Sequence, residues 1–112
     1  MSAELVQLAI KAAQDKKASR IVLLDLTKHS DVCEYQLICS ADNERQTTAI
    51  ADAIEDLCKT EMSRIPSAIE GKTSGHWVCM DYGSLIVHVF LKSLRDYYAI
   101  ESLWPQAAVD VP

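Results

Sequence analysis

What this chain lacks narrows its chemistry first. Its three glycines form neither G-x-G-x-x-G nor G-x-x-x-x-G-K-[ST], so no glycine-rich loop can cradle a phosphate. A G-x-S-x-G nucleophile elbow is absent as well. The four cysteines, Cys33, Cys39, Cys58 and Cys79, include no C-x-x-C pair. They read as small buried hydrophobes of a reducing compartment, because no ligand spacing supports a zinc site drawing on His29, His76 or His88. No apolar run approaches the roughly 20 residues of a membrane span. Residues 1–17 are amphipathic and carry Glu4 and Asp15, which fits neither a secretory signal nor an acid-poor transit peptide. The expectation is a cytosolic chain, or one already mature. Bases are the minority, 11 Lys and Arg against 16 Asp and Glu, for a net charge of −5. Charge-driven binding to nucleic acid needs the opposite balance. An acidic domain suits a basic partner, and ribosomal proteins and histones are the usual basic proteins of a cell.

What is present suits one domain. The 112 residues are 49% hydrophobic and 24% charged, an ordinary globular balance with enough chain for a core. In residues 4–16, Leu5, Leu8, Ala9 and Ala12 recur at helical spacing. Residues 20–26, RIVLLDL, read as a strand covered on both faces. Asp25 interrupts it, either pairing with a loop amide or Lys28, or serving a site. Residues 34–39, EYQLIC, form a second strand. Asn43 followed by Gln46 signals a capping box for a helix over 44–61, with Ile50, Ala53, Ile54, Leu57 and Cys58 on its buried face. Its Arg45, Asp52, Glu55, Asp56 and Lys59 make a solvated face. Residues 65–71 form a short strand whose Pro66 belongs at an edge or a first position. Ser93 and Asp96 make a second capping box, opening a helix to about Trp104. Residues 105–112 are expected to be a loose tail behind a single domain over 1–104. The order α-β-β-α-β-β-β-α predicts an α/β (α+β) domain, a mixed five-stranded sheet with flanking helices.

The most informative stretch is Gly75 to Phe90, GHWVCMDYGSLIVHVF. Gly83-Ser84 between two apolar runs suits a two-residue hairpin of type II′. That turn sets Asp81 opposite Ile86, Met80 opposite Val87, Cys79 opposite His88, Val78 opposite Val89 and Trp77 opposite Phe90. One face is then Val78, Met80, Tyr82, Leu85, Val87 and Val89, a plain core face. The other is Trp77, Cys79, Asp81, Ile86, His88 and Phe90. It combines aromatics with a carboxylate and an imidazole, the composition of a recognition surface. Core packing for Trp77 and a structural hydrogen bond for His88 stand as alternatives. A Cys79–His88–Asp81 constellation is geometrically conceivable, but the sequence supplies no oxyanion donors, so no catalytic residue is assigned.

These segments together resemble the ribosomal silencing factor, or Iojap-like, family. The resemblance runs through K-x-x-x-I-V-L-L-D-L at Lys17–Leu26, Y-Q-L-I-C-S at Tyr35–Ser40, N-E-R-Q at Asn43–Gln46, A-I-A-D-A-I at Ala49–Ile54 and I-E-G at Ile69–Gly71. It continues through W-V-x-x-D-Y-G-x-x-x-V-H-V-F at Trp77–Phe90 and R-D-Y-Y…E-S-L-W at Arg95–Trp104. Family members usually carry Asp where this chain has Glu34. The resemblance implies docking on ribosomal protein number fourteen of the large ribosomal subunit, which blocks joining of the small subunit and represses translation when nutrients are short. It also implies a nucleotidyltransferase-like core without catalytic residues and no enzymatic activity, and the residues themselves carry no cofactor motif and no metal-ligand spacing. Trp77, Asp81, Tyr82 and Ile86 match the family's docking surface, with His88 in support. Trp77 is the expected apolar anchor, and Asp81 the expected pair for a Lys or Arg. The rival readings are a degenerate nucleotidyltransferase that still binds a nucleotide, and an adaptor that uses the same face to form a homodimer.

Overall fold

The computed structural model describes residues 2–28, 33–98 and 108–109. Its elements are α1 (Ser2–Asp15), β1 (Ser19–Asp25), β2 (Tyr35–Ala41), α2 (Glu44–Met62), β3 (Ala68–Glu70), β4 (Trp77–Asp81), β5 (Leu85–Leu91), α3 (Lys92–Tyr98) and β6 (Ala108–Val109). The strands lie in the order β3-β4-β5-β2-β1-β6. β2 and β5 run parallel, and the other neighbours are antiparallel. The expected mixed sheet of five strands is present, with flanking helices. A sixth strand of two residues pairs Val109 with Leu23 and Ala108 with Leu24. At those two residues the expectation of a loose tail is corrected, because the edge of β1 offers them backbone partners. The remainder of the 105–112 tail lies outside the described residues, as do Trp104 and the expected last turns of α3.

The helices form where the periodicity placed them. Leu5, Val6, Ala9, Ile10, Ala12 and Ala13 of α1 are buried, a wider stripe than the spacing alone suggested. Lys17 closes the helix in the left-handed region at φ 61°, with Ala18 N–H donating to Ala13 C=O at 3.0 Å. Lys16 and Lys17 therefore follow the helix. Asn43 caps α2, its Oδ1 accepting from Gln46 N–H at 2.8 Å. The capping box is not closed reciprocally: Gln46 Oε1 accepts from Asp42 N–H at 2.7 Å. Gln46 Nε2 donates to the Lys16 and Lys17 carbonyls, 3.2 Å each, tying the end of α1 to the start of α2. α3 begins at Lys92, directly after β5. Ser93 thus lies inside its first turn instead of capping it.

α1 and α2 cover one face of the sheet. There Leu5, Ala9, Ile50, Ile54 and Cys58 meet Leu37, Cys39, Val78, Met80, Leu85, Val87 and Val89 in one apolar cluster. The opposite face carries a second cluster of Leu24, Leu26, Cys33, Ile38 and Phe90, with Val22, Trp77 and Ile86 against it. At its end Arg95 of α3 is buried and donates to the Arg20 carbonyl and to Ser40 Oγ. The solvated face of α2 holds one clamp: Lys72 Nζ lies 2.5 Å from Asp52 Oδ1 and 2.9 Å from Glu55 Oε1. Those two carboxylates hold the Lys72 ammonium above its ordinary pKa and fasten the β3–β4 loop to the helix. Asp25 pairs locally, its Oδ1 accepting from Thr27 N–H at 3.0 Å and Thr27 Oγ1–H at 2.7 Å.

Candidate docking surface

The β4–β5 hairpin positions the candidate site. Its register matches the sequence expectation at every pair: Trp77 with Phe90, Val78 with Val89, Cys79 with His88, Met80 with Val87 and Asp81 with Ile86. The turn is tighter than a II′ turn. Ser84 N–H donates back to Tyr82 C=O at 3.2 Å, and Tyr82 N–H donates to Leu85 C=O at 2.8 Å. This closure places Gly83 at φ 86°, a region that costs glycine little and other residues much. Asp81 Oδ1 accepts from Gly83 N–H at 2.8 Å, so this expected docking carboxylate also shapes the turn. Gly71, at φ 93°, lets β3 approach β4; a Cβ there would collide with the Trp77 carbonyl oxygen.

Pleating puts Trp77, Cys79, Asp81, Ile86, His88 and Phe90 on the face away from α1 and α2. Trp77 and Ile86 are half-buried against the second cluster, and Asp81 is half-buried beside Ile86. Tyr82 is not with them. It lies in the helix-side cluster at 4% exposure, because a residue adjacent to Asp81 in an extended strand points to the opposite face. The docking role that the resemblance implied for Tyr82 is therefore corrected: its ring is core. The Tyr82 hydroxyl is buried without a hydrogen-bond partner of good geometry, beside the Cys58 thiol. Burial is the main cause that pushes its pKa up.

Three rings cluster on the candidate docking face. Trp77 and Phe90 lie 4.9 Å apart between centroids at an interplanar angle of 25°. His88 is 6.0 Å from Phe90 and 5.9 Å from Trp77. Trp77 Nε1–H donates to His88 Nδ1 at 3.1 Å, and His88 Nε2 lies 3.1 Å from Gln36 Oε1. An indole nitrogen can only donate, so Nδ1 accepts and Nε2 carries the proton it gives to Gln36. Gln36 in turn donates through Nε2 to Cys33 Sγ at 3.9 Å. Burial lowers the His88 pKa to about 4, which keeps the ring neutral near pH 7. Gln36 is the residue that sequence reasoning left without a role here, while Phe90 was placed on this face but not in the docking set. A lone amide inside the apolar run Tyr35–Ala41 was the available signal for Gln36.

This arrangement does not make a nucleophile. Both His88 nitrogens are engaged, and the Cys79 thiol is pushed up by burial and by the Glu70 and Asp81 carboxylates. A thiol held protonated beside a base with no free nitrogen cannot act as an activated Cys–His pair. Among the described residues, no cluster of His, Cys, Asp and Glu could hold a metal ion, and no helix is long and apolar enough to cross a membrane. A shallow cavity of about 430 Å³, lined by Glu70, Gly71, Trp77 and Cys79, opens beside the indole. The face thus offers a clamped aromatic ring with the Glu70 carboxylate beside it and Asp81 further along β4, which suits binding.

The chain is 38% identical over 104 residues to the ribosomal silencing factor of Halalkalibacterium halodurans, covering 93% of this chain and 88% of that protein. It superposes on a crystal structure of a Chromobacterium violaceum protein with a TM-score of 0.88 and 34% identity, covering 98% of this chain and 88% of that one. A mouse protein named for mitochondrial assembly of the ribosomal large subunit is 24% identical over 107 residues, which cover 94% of this chain and 47% of that protein. The family model described as ribosomal silencing factor during starvation matches residues 1–112. The chain belongs to that family of ribosomal silencing factors.

Proposed function

We propose that this protein docks on the large ribosomal subunit through ribosomal protein number fourteen and prevents the small subunit from joining, which silences translation when nutrients are short. It acts in the cytoplasm. The observation that carries this reading is the Trp77 indole, half-buried, stacked on Phe90 and hydrogen-bonded to His88. It lies on the sheet face that α1 and α2 leave uncovered. Glu70 beside it and Asp81 at the other end of β4, in a chain of net charge −5, complement a basic ribosomal protein. Trp77 is the anchor, Ile86 extends the apolar patch, Asp81 pairs with a partner Lys or Arg, and His88 supports the indole. The large subunit as partner also has support from the name of the mouse relative.

The test uses isolated large subunits incubated with the protein, then small subunits, then a sucrose gradient. Co-migration with the large subunit and a smaller joined-ribosome peak are expected. Protein left at the top of the gradient, with joining unaffected, would overturn the reading. Truncating a buried aromatic anchor typically costs ~2–4 kcal/mol of binding, so Trp77→Ala should weaken large-subunit binding more than tenfold in a chain that stays folded. Sedimentation of the free chain shows whether the same face also pairs two copies.

A further inference from the structure

We propose that Gln36, acting through His88, is a positioning residue for docking: it fixes the His88 tautomer that holds the Trp77 indole at its presented angle. The proposal rests on the docking reading above and adds a residue on a strand that carries none of the expected docking residues.

The geometry is a hydrogen-bonded string across three neighbouring strands. Gln36 belongs to β2, His88 to β5 and Trp77 to β4. The parallel pairing of β2 with β5 sets Gln36 beside Ile86 and Ile38 beside His88, so the amide and the imidazole share the face that Trp77 occupies. Without an acceptor at Nε2, the neutral imidazole could carry its proton on either nitrogen. With the proton on Nδ1, two donors would oppose each other at the indole and the 3.1 Å contact would be lost. Gln36 Oε1 selects the Nε2–H form. The amide is itself oriented, because its nitrogen is directed to Cys33 Sγ. Gln36 is 9% exposed and His88 7%, so water competes weakly for these bonds. A Trp side chain turns about two torsions. Phe90 restrains the ring plane by stacking at 4.9 Å, while His88 restrains rotation within that plane. A ring held in its bound orientation loses less freedom on association.

The experiment compares Gln36→Leu, Trp77→Ala and the double variant, each measured for large-subunit affinity and by the indole N–H signals in a ¹H–¹⁵N spectrum. The chain has two tryptophans, and Trp77→Ala identifies the Trp77 signal by its loss. In folded Gln36→Leu, that signal should shift and its hydrogen exchange should accelerate. Affinity should fall roughly 2–10-fold, the scale of one buried hydrogen bond. In the Trp77→Ala background, Gln36→Leu should cost nothing further. Unchanged indole exchange and unchanged affinity overturn the proposal, as does an equal loss in both backgrounds, which would place the action of Gln36 elsewhere. If Trp77→Ala itself binds normally, the docking reading fails and the positioning role fails with it. That failure differs from the others because the Gln36 effect on the indole signal is still seen. Gln36→Met, unbranched and of similar length, replaces Gln36→Leu if the latter does not fold, with the same outcomes.

Discussion

The two faces of the central sheet are built on different principles. The face under α1 and α2 is apolar and held by contact alone: Ile50, Ile54, Val78, Met80, Leu85, Val87 and Val89 are each fully buried. The far face uses fewer apolar residues and adds direction, because the indole, imidazole and amide of Trp77, His88 and Gln36 are joined by hydrogen bonds of 3.1 Å. Dispersion and burial scale with area and tolerate repacking. Hydrogen bonds between oriented rings fix angles. The first face maintains the fold, and the second shapes a surface.

The contrast can be tested from its heaviest side first. Ile54→Ala should cost ~2–5 kcal/mol in denaturant unfolding, through lost burial and the cavity left behind. The affinity of the remaining folded protein for large subunits should not change. A stability loss below ~1 kcal/mol would mean that the helix face is looser than its burial indicates.

The second test is pH. The buried His88 ring stays neutral down to a pKa of about 4 in the folded chain, while an unfolded chain takes up that proton near the ordinary value of about 6.5. Acid therefore favours the unfolded state. The His88 contribution is intact above pH 6.5 and is lost as pH falls toward 4, amounting to about 2 kcal/mol by pH 5 and about 3 kcal/mol in full. Unfolding curves at pH 7 and pH 5 should show this loss in the native chain and a smaller one in His88→Gln. Equal losses in the two would remove His88 from the account.

The smallest effect belongs to Tyr82, the polar atom on the apolar face. Its hydroxyl has no hydrogen-bond partner of good geometry, so Tyr82→Phe should leave stability within ~1 kcal/mol of the native chain. Large-subunit binding should be unchanged, since the ring points away from Trp77. A clear loss of binding would return Tyr82 to the docking surface.

Much of this was legible locally. The hairpin register followed from one glycine between two apolar runs, because a two-residue loop leaves a single pairing and strand alternation then assigns every side chain a face. Helix α2 and its Asn43 cap followed from spacing, and the Asp25 loop pairing from the habits of a short acid near a strand end. The assignment of Tyr82 to the docking set failed where the resemblance named a sequence neighbourhood and the pleat divided it. The turn itself closed more tightly than its residues suggested, with Asp81 accepting from Gly83.

The amino-acid sequence alone determined the elements, the two faces of the hairpin and an acidic chain without a phosphate loop or a metal-ligand pattern, since these depend on spacing within a few residues and on composition. Only the tertiary structure decided that β2 lies parallel to β5, 52 positions separating Gln36 from His88. It also decided that the edge of β1 receives Ala108–Val109. Neither follows from local pattern. The partner of a strand edge is chosen by the burial that the whole sheet achieves once its helices are in place, and the orientation of the Trp77 indole depends on that choice.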